Sequence, residues 1–338
     1  MINFQYARAS DVADAVRQIA AAPTAKFIAG GTNLIDLMKE EVERPPRLID
    51  ISRLPLRTVE ETPGGGVRIG ALVPNSDLAY HPLIAQRYPM LASAILAGAS
   101  AQLRNMASTG GNLLQRTRCY YFYDVATPCN KREPGSGCSA TNGLNRMHAI
   151  LGTSDSCIAT HPSDMCVALA ALDATVHAAG PAGTRAIAFS DFHRLPGDTP
   201  QRDTNLQPGE IVTAIELPSR GFAANYTYLK IRDRLSYAFA LVSVAAALEL
   251  DGATIREARL ALGGVAHKPW RNPAAEAALR GQTAGQPAFT RAADVLLRDA
   301  KGFEHNTFKI DLARRAIVRA LTQVAAGTPQ SQSDKKIR

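Results

Sequence analysis

Apolar positions in the first third of the chain alternate between the period of a helix and that of a strand. Val12, Ala15, Val16, Ile19 and Ala20 recur at helical spacing. A short apolar stretch then runs into Gly30 and Gly31, which precede the helical sequence NLIDLMK. The pattern predicts strands at 25–29, 47–51 and 67–72, and helices at 33–39 and about 91–98.

A second part begins after a break near residues 217–224, which follow the strand-like IVTAIEL. The pattern predicts an antiparallel meander of strands at 225–231, 239–250 and 254–262, followed by helices at 273–280, 291–299 and 311–325. We therefore expect domains at 1–220 and 221–326. The polar residues 327–338 are expected to be a disordered tail.

Periodicity is lost between residues 115 and 160, where Pro, Gly, Asn, Arg and Cys dominate and four aromatic residues follow Cys119. A long irregular segment inside a compact domain is uncommon unless a function or a cross-link holds it. The pattern predicts an ordered loop that is fixed by a cross-link.

Composition narrows the possible functions. The 338 residues carry 38 Lys and Arg against 30 Asp and Glu, a net charge of +8, but the two signs are interleaved. Nucleic-acid binding is therefore disfavoured, and docking to an acidic partner subunit is a milder use of the charge. The N-terminus reads as lacking an export signal, and no apolar run approaches the roughly 20 residues of a membrane span.

Two glycine turns have similar sequences. Residues 26–34 read KFIAGGTNL and residues 108–112 read STGGN. Glycine allows close backbone approach and positive φ, so the N–H groups of such turns can face a phosphate. Each could be a plain structural turn, or the pair could hold one pyrophosphate from two sides. Neither matches G-x-G-x-x-G, which argues against an ordinary Rossmann site.

Four of the five cysteines, Cys119, Cys129, Cys138 and Cys157, lie in the irregular segment. They could be scattered thiols, disulfide partners, or ligands of zinc or a [4Fe–4S] cluster. The close C-x₂₋₄-C pairs of structural zinc sites and the common ferredoxin spacings are both absent. Cys166 follows Ser163, a predicted helix N-cap, and is expected to pack in the core.

Motifs for bond-making chemistry are missing. The sequence contains neither G-x-S-x-G nor H-E-x-x-H, and its carboxylates show no spacing typical of an acid and base pair. This indicates that the chain does not itself carry out the chemical step.

KFIAGGTNLIDLMK, ASTGGNLLQ, HPSDMCVALAALDA and LGGVAHKPWR together resemble the FAD-binding subunits of molybdenum hydroxylases, the group of xanthine and carbon monoxide dehydrogenase medium subunits. The resemblance covers about residues 1–325. It implies an α/β (α+β) fold, with a two-subdomain FAD-binding module of the vanillyl-alcohol-oxidase (PCMH) type at 1–220. A carbon monoxide dehydrogenase flavoprotein-like domain with a three-stranded antiparallel sheet and helices would follow.

The same resemblance implies the FAD contacts. Asp164 corresponds to a Ser-Asp pair near the flavin, Val212 more loosely to a ring-packing residue, and Lys230 to a lysine near the isoalloxazine. Gly98 stands where some relatives have an aromatic residue. The pyrophosphate contacts would come from Lys26, Phe27, Ile28, Ala29, Gly30, Gly31, Thr32, Asn33, Leu34, Ser108, Thr109, Gly110, Gly111 and Asn112.

The cysteine-rich segment, about 116–160, departs from most of the group and is similar to the FAD subunits of bacterial periplasmic aldehyde oxidoreductases. That similarity implies a [4Fe–4S] cluster held by Cys119, Cys129, Cys138 and Cys157, with Cys166 excluded. Whether the cluster is an electron relay or a structural tie stays open at this point.

The function implied is electron transfer in a heterotrimer. A large molybdenum-cofactor subunit would oxidise an aldehyde to its carboxylic acid, and a small [2Fe–2S] subunit would pass electrons to FAD here and on to an external acceptor. Export on the small subunit's signal would make the complex periplasmic, with a cytoplasmic location as the alternative. The rival functions are a self-sufficient FAD oxidase and a zinc- or disulfide-stabilised binding module.

Overall fold

The N-terminal part of the protein is built on a small parallel sheet. The computed structural model describes residues 1–327, so the expected tail beyond residue 327 lies outside the described residues. The elements are β1 Gln5–Arg8, α1 Val12–Ala21, β2 Lys26–Ile28, α2 Leu34–Lys39 and β3 Arg47–Asp50. The strand order is β1-β3-β2. Asp11 caps α1 by accepting a hydrogen bond from the Asp14 amide.

A five-stranded sheet follows, with antiparallel pairing throughout and the order β4-β5-β8-β6-β7. Its strands are β4 Val59–Glu61, β5 Val67–Gly70, β6 Thr175–Gly180, β7 Gly183–Ala188 and β8 Ile211–Leu217. Its helices are α3 Asn75–Tyr80, α4 Pro82–Arg87, α5 Pro89–Ala97, α6 Ala101–Met106, α7 Thr109–Leu113, α8 Tyr120–Tyr123, α9 Asp164–Ala171 and α10 Phe189–Phe192. Six of the nine residues of α5 and all eight of α9 are buried in the core behind this sheet.

The C-terminal part contains the predicted meander with one addition. Strands β9 Tyr226–Ile231, β10 Val242–Asp251 and β11 Thr254–Gly263 are joined by a two-residue strand, β12 Trp270–Arg271, to give the order β12-β11-β10-β9. Strand β10 begins at residue 242 and not at 239, as the apolar run had suggested. Helices α11 Pro273–Ala277, α12 Gln286–Leu296 and α13 Phe308–Ala325 complete this part.

The irregular segment between α7 and α9 is held by its own cations. Arg116 donates to Glu43 and Asp203 at 2.6 and 2.9 Å, and the fully buried Lys131 ammonium also pairs with Asp203. Arg132 donates to three main-chain carbonyls of its own loop. Buried backbone carbonyls need such partners, so these cations hold the loop in place.

Arg271 ties the C-terminal part to the end of α9. Its guanidinium donates to the carbonyl of Ala170 at 2.8 Å, to Asp173, and to Glu276 at 2.7 Å. The Glu276 side chain is 2% exposed and also accepts from the amide of Leu260.

Within the part of the chain that the structure describes, no helix is both long and apolar enough to cross a bilayer.

We predict that Arg271→Met lowers the free energy of unfolding by about 3 kcal/mol, because the buried carboxylate of Glu276 loses its partner. Arg315→Met is the matched control, since Arg315 is 80% exposed and, among residues 1–327, pairs only with Asp311 one helical turn away. Its effect should stay within about 0.5 kcal/mol. Urea denaturation of the two variants measures both, and equal midpoints would contradict the prediction.

Candidate functional site

Two cavities meet at the first glycine turn. One, of about 440 Å³, is lined by Lys26, Phe27, Ile28, Ala29, Gly30, Gly31, Thr32, Asn33 and Leu34, and by Ser108, Gly110, Gly111 and Val212. The other, of about 640 Å³, includes Asn112, Asp164 and Lys230 in its wall. Thr32, Asn33 and Gly111 border both. The structure therefore brings nearly all of the predicted FAD contacts to one two-part cleft.

The first turn requires glycine. A Cβ atom on Gly30 would lie 1.8 Å from the carbonyl oxygen of Met106, and Gly31 has a φ of +74°. The amides of Gly31, Thr32 and Asn33 have no hydrogen-bond acceptor among residues 1–327. Such free N–H groups beside a cleft are what an anionic pyrophosphate needs.

The side chain of Asn33 adds a further unsatisfied donor to the three free amides of this turn. Its Oδ1 accepts from the amide of Arg116 at 2.9 Å, which fixes the side-chain amide. Its Nδ2 is buried and has no partner in the described part of the chain. A buried donor without a partner costs about 1–3 kcal/mol, so the residues present fit a bound group that supplies an acceptor here.

The second turn is built differently, because the amides of residues 109–112 all donate within the protein. Its contact with the pyrophosphate stays a prediction. The amide and hydroxyl of Thr109 both donate to the carbonyl of Val73, and the Gly110 amide donates to Ala71. The amides of Gly111 and Asn112 are taken up by Ser108. Thr109 itself is buried behind the wall and borders neither cavity. The amides of residues 109–112 are therefore not available to a ligand in this arrangement.

Asp164, at the start of α9, forms a buried cluster on the wall of the larger cavity. Lys230 donates to its Oδ2 at 2.8 Å and to the carbonyl of Ala97, and Tyr228 donates to its Oδ1 at 2.6 Å. Burial, reinforced by the nearby Asp164 carboxylate, raises the pKa of Tyr228 well above its usual range. Gly98 packs closely against this cluster, since a Cβ added there would lie 3.1 Å from Oδ2 of Asp164.

Val212 and Lys230 do not meet. Val212 lies in the wall of the smaller cavity, whereas Lys230 lies in that of the larger one. The roles expected for Val212 at a ring and for Lys230 near the isoalloxazine stay predictions, and they concern different halves of the cleft. Sequence reasoning also missed Arg104, Arg118, Tyr237 and Phe239, which border the larger cavity from loops and helix ends without periodicity.

The four loop cysteines converge around one small space. Cys119, Cys129, Cys138 and Cys157 all border it, and the backbones of Cys129 and Cys138 pair directly. All five cysteines of the chain are free, so the disulfide interpretation is not met. Cys166 is fully buried in α9, as expected, and Ser163 caps that helix by accepting from its amide.

The spacing of the sulfurs is wide. Tetrahedral zinc with Zn–S bonds of about 2.3 Å would place them about 3.8 Å apart, yet no three of them lie within 4.8 Å of one another. Burial raises the pKa of Cys119 to about 12 and that of Cys157 to about 11. Both therefore stay neutral unless a cation stabilises the thiolate.

His148 is a neighbour of this pocket that the sequence pattern did not single out. Its Nε2 lies 3.1 Å from Sγ of Cys119, and burial lowers its pKa to about 4. A neutral imidazole can donate to a sulfur ligand without adding charge. In the sequence, only the position of His148 inside the cysteine-rich segment could have indicated its contact with Cys119.

A two-part cleft with a glycine turn, beside a pocket of four thiols, defines a cofactor-carrying redox subunit. Residues 2–220 match the FAD binding domain in molybdopterin dehydrogenase, and residues 226–324 match the CO dehydrogenase flavoprotein C-terminal domain. The chain belongs to this family of FAD-binding medium subunits of molybdenum hydroxylases.

Individual relatives agree with this. The chain is 52% identical to the aldehyde oxidoreductase FAD-binding subunit PaoB of Escherichia coli, over 96% of this chain and 99% of that one. It is 30% identical to the glyceraldehyde dehydrogenase medium chain of Sulfolobus acidocaldarius, over 80% and 78%. The structure of carbon monoxide dehydrogenase from Hydrogenophaga pseudoflava superposes with a TM-score of 0.76 at 27% identity, over 97% and 100%. The expected fold is confirmed.

We predict that Gly30→Ala lowers flavin affinity at least about tenfold, or about 1.4 kcal/mol, because its Cβ would push the turn away from Met106. Gly64→Ala is the matched control, since a Cβ there meets nothing within 4 Å. Flavin retained after gel filtration and fluorescence titration of the apoprotein provide the measurement. Full retention by Gly30→Ala would show that the turn does not set the cleft.

Proposed function

We propose that this chain is the electron-transfer FAD subunit of a molybdenum-containing aldehyde oxidoreductase. In this role it receives electrons from [2Fe–2S] clusters of a partner and delivers them to an external acceptor. The observation that carries the proposal is the union, in one member of this family, of the two-part cleft with the four-thiol pocket. The 52% identity to an aldehyde oxidoreductase subunit supports the aldehyde as substrate class.

The first turn would hold the pyrophosphate of FAD through the free amides of Gly31, Thr32 and Asn33 and through Nδ2 of Asn33. FAD, when bound, accepts single electrons from a cluster and releases two to an acceptor. This chain's part is to position the flavin and keep water out. The Asp164–Lys230 pair serves as a rigid wall, because both charges are already engaged.

The loop cysteines would hold a [4Fe–4S] cluster through Cys119, Cys129, Cys138 and Cys157. Four thiolates are the usual ligand set for such a cluster, and all four cysteines border one pocket. The buried ammonium of Lys131 borders the pocket and would offset part of its negative charge. His148 would donate to the sulfur of Cys119.

The proposed partners are a large subunit with the molybdenum cofactor and a small [2Fe–2S] subunit, in a heterotrimer. The name "medium chain" for several relatives supports assembly with larger and smaller chains. We place the complex in the periplasm, exported on the small subunit. Cell fractionation decides this, and recovery of the assembled complex only in the cytoplasm would refute it.

The rival functions fit the site less well. A self-sufficient FAD oxidase needs a base at the flavin, but the Asp164 carboxylate is held by Lys230 and Tyr228. A disulfide-stabilised module is disfavoured because the cysteines are free, and a zinc module because their sulfurs are too far apart.

We predict that the co-purified three-subunit complex oxidises aromatic or aliphatic aldehydes with an artificial electron acceptor, and that this chain alone, loaded with FAD, does not. Anaerobic mixing with aldehyde should bleach the flavin absorbance only in the complex. Bleaching in the isolated chain would favour the oxidase instead.

We predict that Cys129→Ser lowers the iron and acid-labile sulfide of the complex by about four each per copy of this chain, because the [4Fe–4S] cluster loses a thiolate ligand while the partner's [2Fe–2S] clusters remain. Cys166→Ala is the matched control for iron content, as this buried cysteine lies outside the pocket. Iron and sulfide analysis of the anaerobically purified complex gives the result. Unchanged iron in Cys129→Ser would overturn the ligand assignment.

A further inference from the structure

Another group of ligand-type side chains lies outside both proposed cofactor sites. His161, Cys166 and His193 each offer one ligand atom, and these atoms all lie within 4.8 Å of one another. Among residues 1–327 this is the only set of three or more His, Cys, Asp or Glu that meets this distance. It joins the segment before α9, α9 itself and the residue after α10.

His193 is already oriented as a ligand. Its Nε2 lies 2.9 Å from the carbonyl oxygen of Leu113, which can only accept, so Nε2 carries the proton. The lone pair is therefore on Nδ1, which is buried and has no partner in the described residues. His193 is 2% exposed. A backbone carbonyl that fixes the tautomer of a histidine in this way is typical of metal-binding imidazoles.

His161 faces His193 with a second unsatisfied nitrogen. The two ring centroids are 4.4 Å apart, and Nε2 of His161 is buried without a partner among the residues described. Its Nδ1 receives the Ser163 amide only at 3.4 Å, the outer limit of a hydrogen bond. That contact is weak enough to be exchanged when the ring proton moves to Nδ1 and Nε2 binds an ion.

Two imidazoles that each leave a buried nitrogen unpaired are poorly explained by packing alone. A buried nitrogen without a partner costs about 1–3 kcal/mol of desolvation, which a bound ion would offset. Two nitrogens and one sulfur are a ligand set suited to zinc, with a fourth position left for water. His161 borders a cavity of about 90 Å³ and His193 one of about 160 Å³.

We propose that His161, Cys166 and His193 bind one divalent ion of the zinc class, at a site separate from the loop cysteines. Binding of Cys166 as thiolate releases one proton to solvent. The ion would join α9 to the segment that follows α10. Through the hydrogen bond from His193 to Leu113 it would also hold the end of α7, which carries the second glycine turn.

The test uses the anaerobically purified complex, treated with a chelator, incubated with Zn²⁺ and desalted. Metal analysis should give about one zinc per chain for the unmodified protein and below about 0.2 for His193→Gln and Cys166→Ala. Iron should be unchanged in both variants. X-ray absorption at the zinc edge should show one sulfur and at least two imidazole nitrogens.

His177→Gln is the matched control, because His177 lies on a strand of the five-stranded sheet and pairs with Glu216. It should retain the zinc. If His193→Gln aggregates, Cys166→Ala, which removes a single sulfur atom, decides alone. Absence of zinc in the unmodified protein, or a zinc spectrum with four sulfurs, would overturn the proposal. Neither result bears on flavin or iron in the other two sites.

Discussion

The close approach of the first glycine turn to the end of α6 is the contact on which the rest of the site depends. Gly30 packs so tightly on the carbonyl of Met106 that no side chain fits between them. Three residues later, the side chain of Asn33 accepts a hydrogen bond from the amide of Arg116, the residue at which the cysteine-rich loop begins. The N-terminal sheet, the second glycine turn and the loop are thus brought together within a few residues. The cleft exists because these three segments meet at the first glycine turn.

Charge in this protein is used internally to a large extent. Although burial opposes ionisation of Asp203, the cations Lys131 and Arg116 hold the pKa of that carboxyl well below its ordinary value. The same pairs fix the loop onto residues far away in the sequence. Part of the net charge of +8 therefore serves to order an irregular segment, which weakens the argument for a basic docking face drawn from composition. Desolvated charges cost stability unless they are paired, and here each has a partner.

Periodicity was sufficient for elements that bury one face. Helix α1, the long strands of the meander and the capping of α9 by Ser163 follow the pattern closely. Strand β12 could not be predicted, because two residues carry no period. The two glycine turns have nearly the same sequence but opposite hydrogen bonding. In the second turn, the amides of Thr109 and Gly110 donate hydrogen bonds to carbonyls of the residues after β5. Such contacts between distant parts of the chain depend on tertiary packing and cannot be predicted from local sequence. The separation of Val212 from Lys230 has the same origin, since the strands that carry them lie in different sheets.

Both ends of the cysteine-rich loop are attached to walls of the cleft. The loop begins at Arg116, whose amide donates to Asn33. It ends just before Ser163 and Asp164, and the hydroxyl of Ser163 donates to Asn112. An irregular segment of this length loses much conformational entropy when ordered, and a cross-link within it removes part of that cost. In the proposed function, a cluster held by the four thiols would therefore keep both attachment points in place. Because linkage is reciprocal, flavin binding to the cleft would stabilise the loop and the loop would favour flavin binding. The two cofactors would then depend on each other through the backbone, without any direct contact between them.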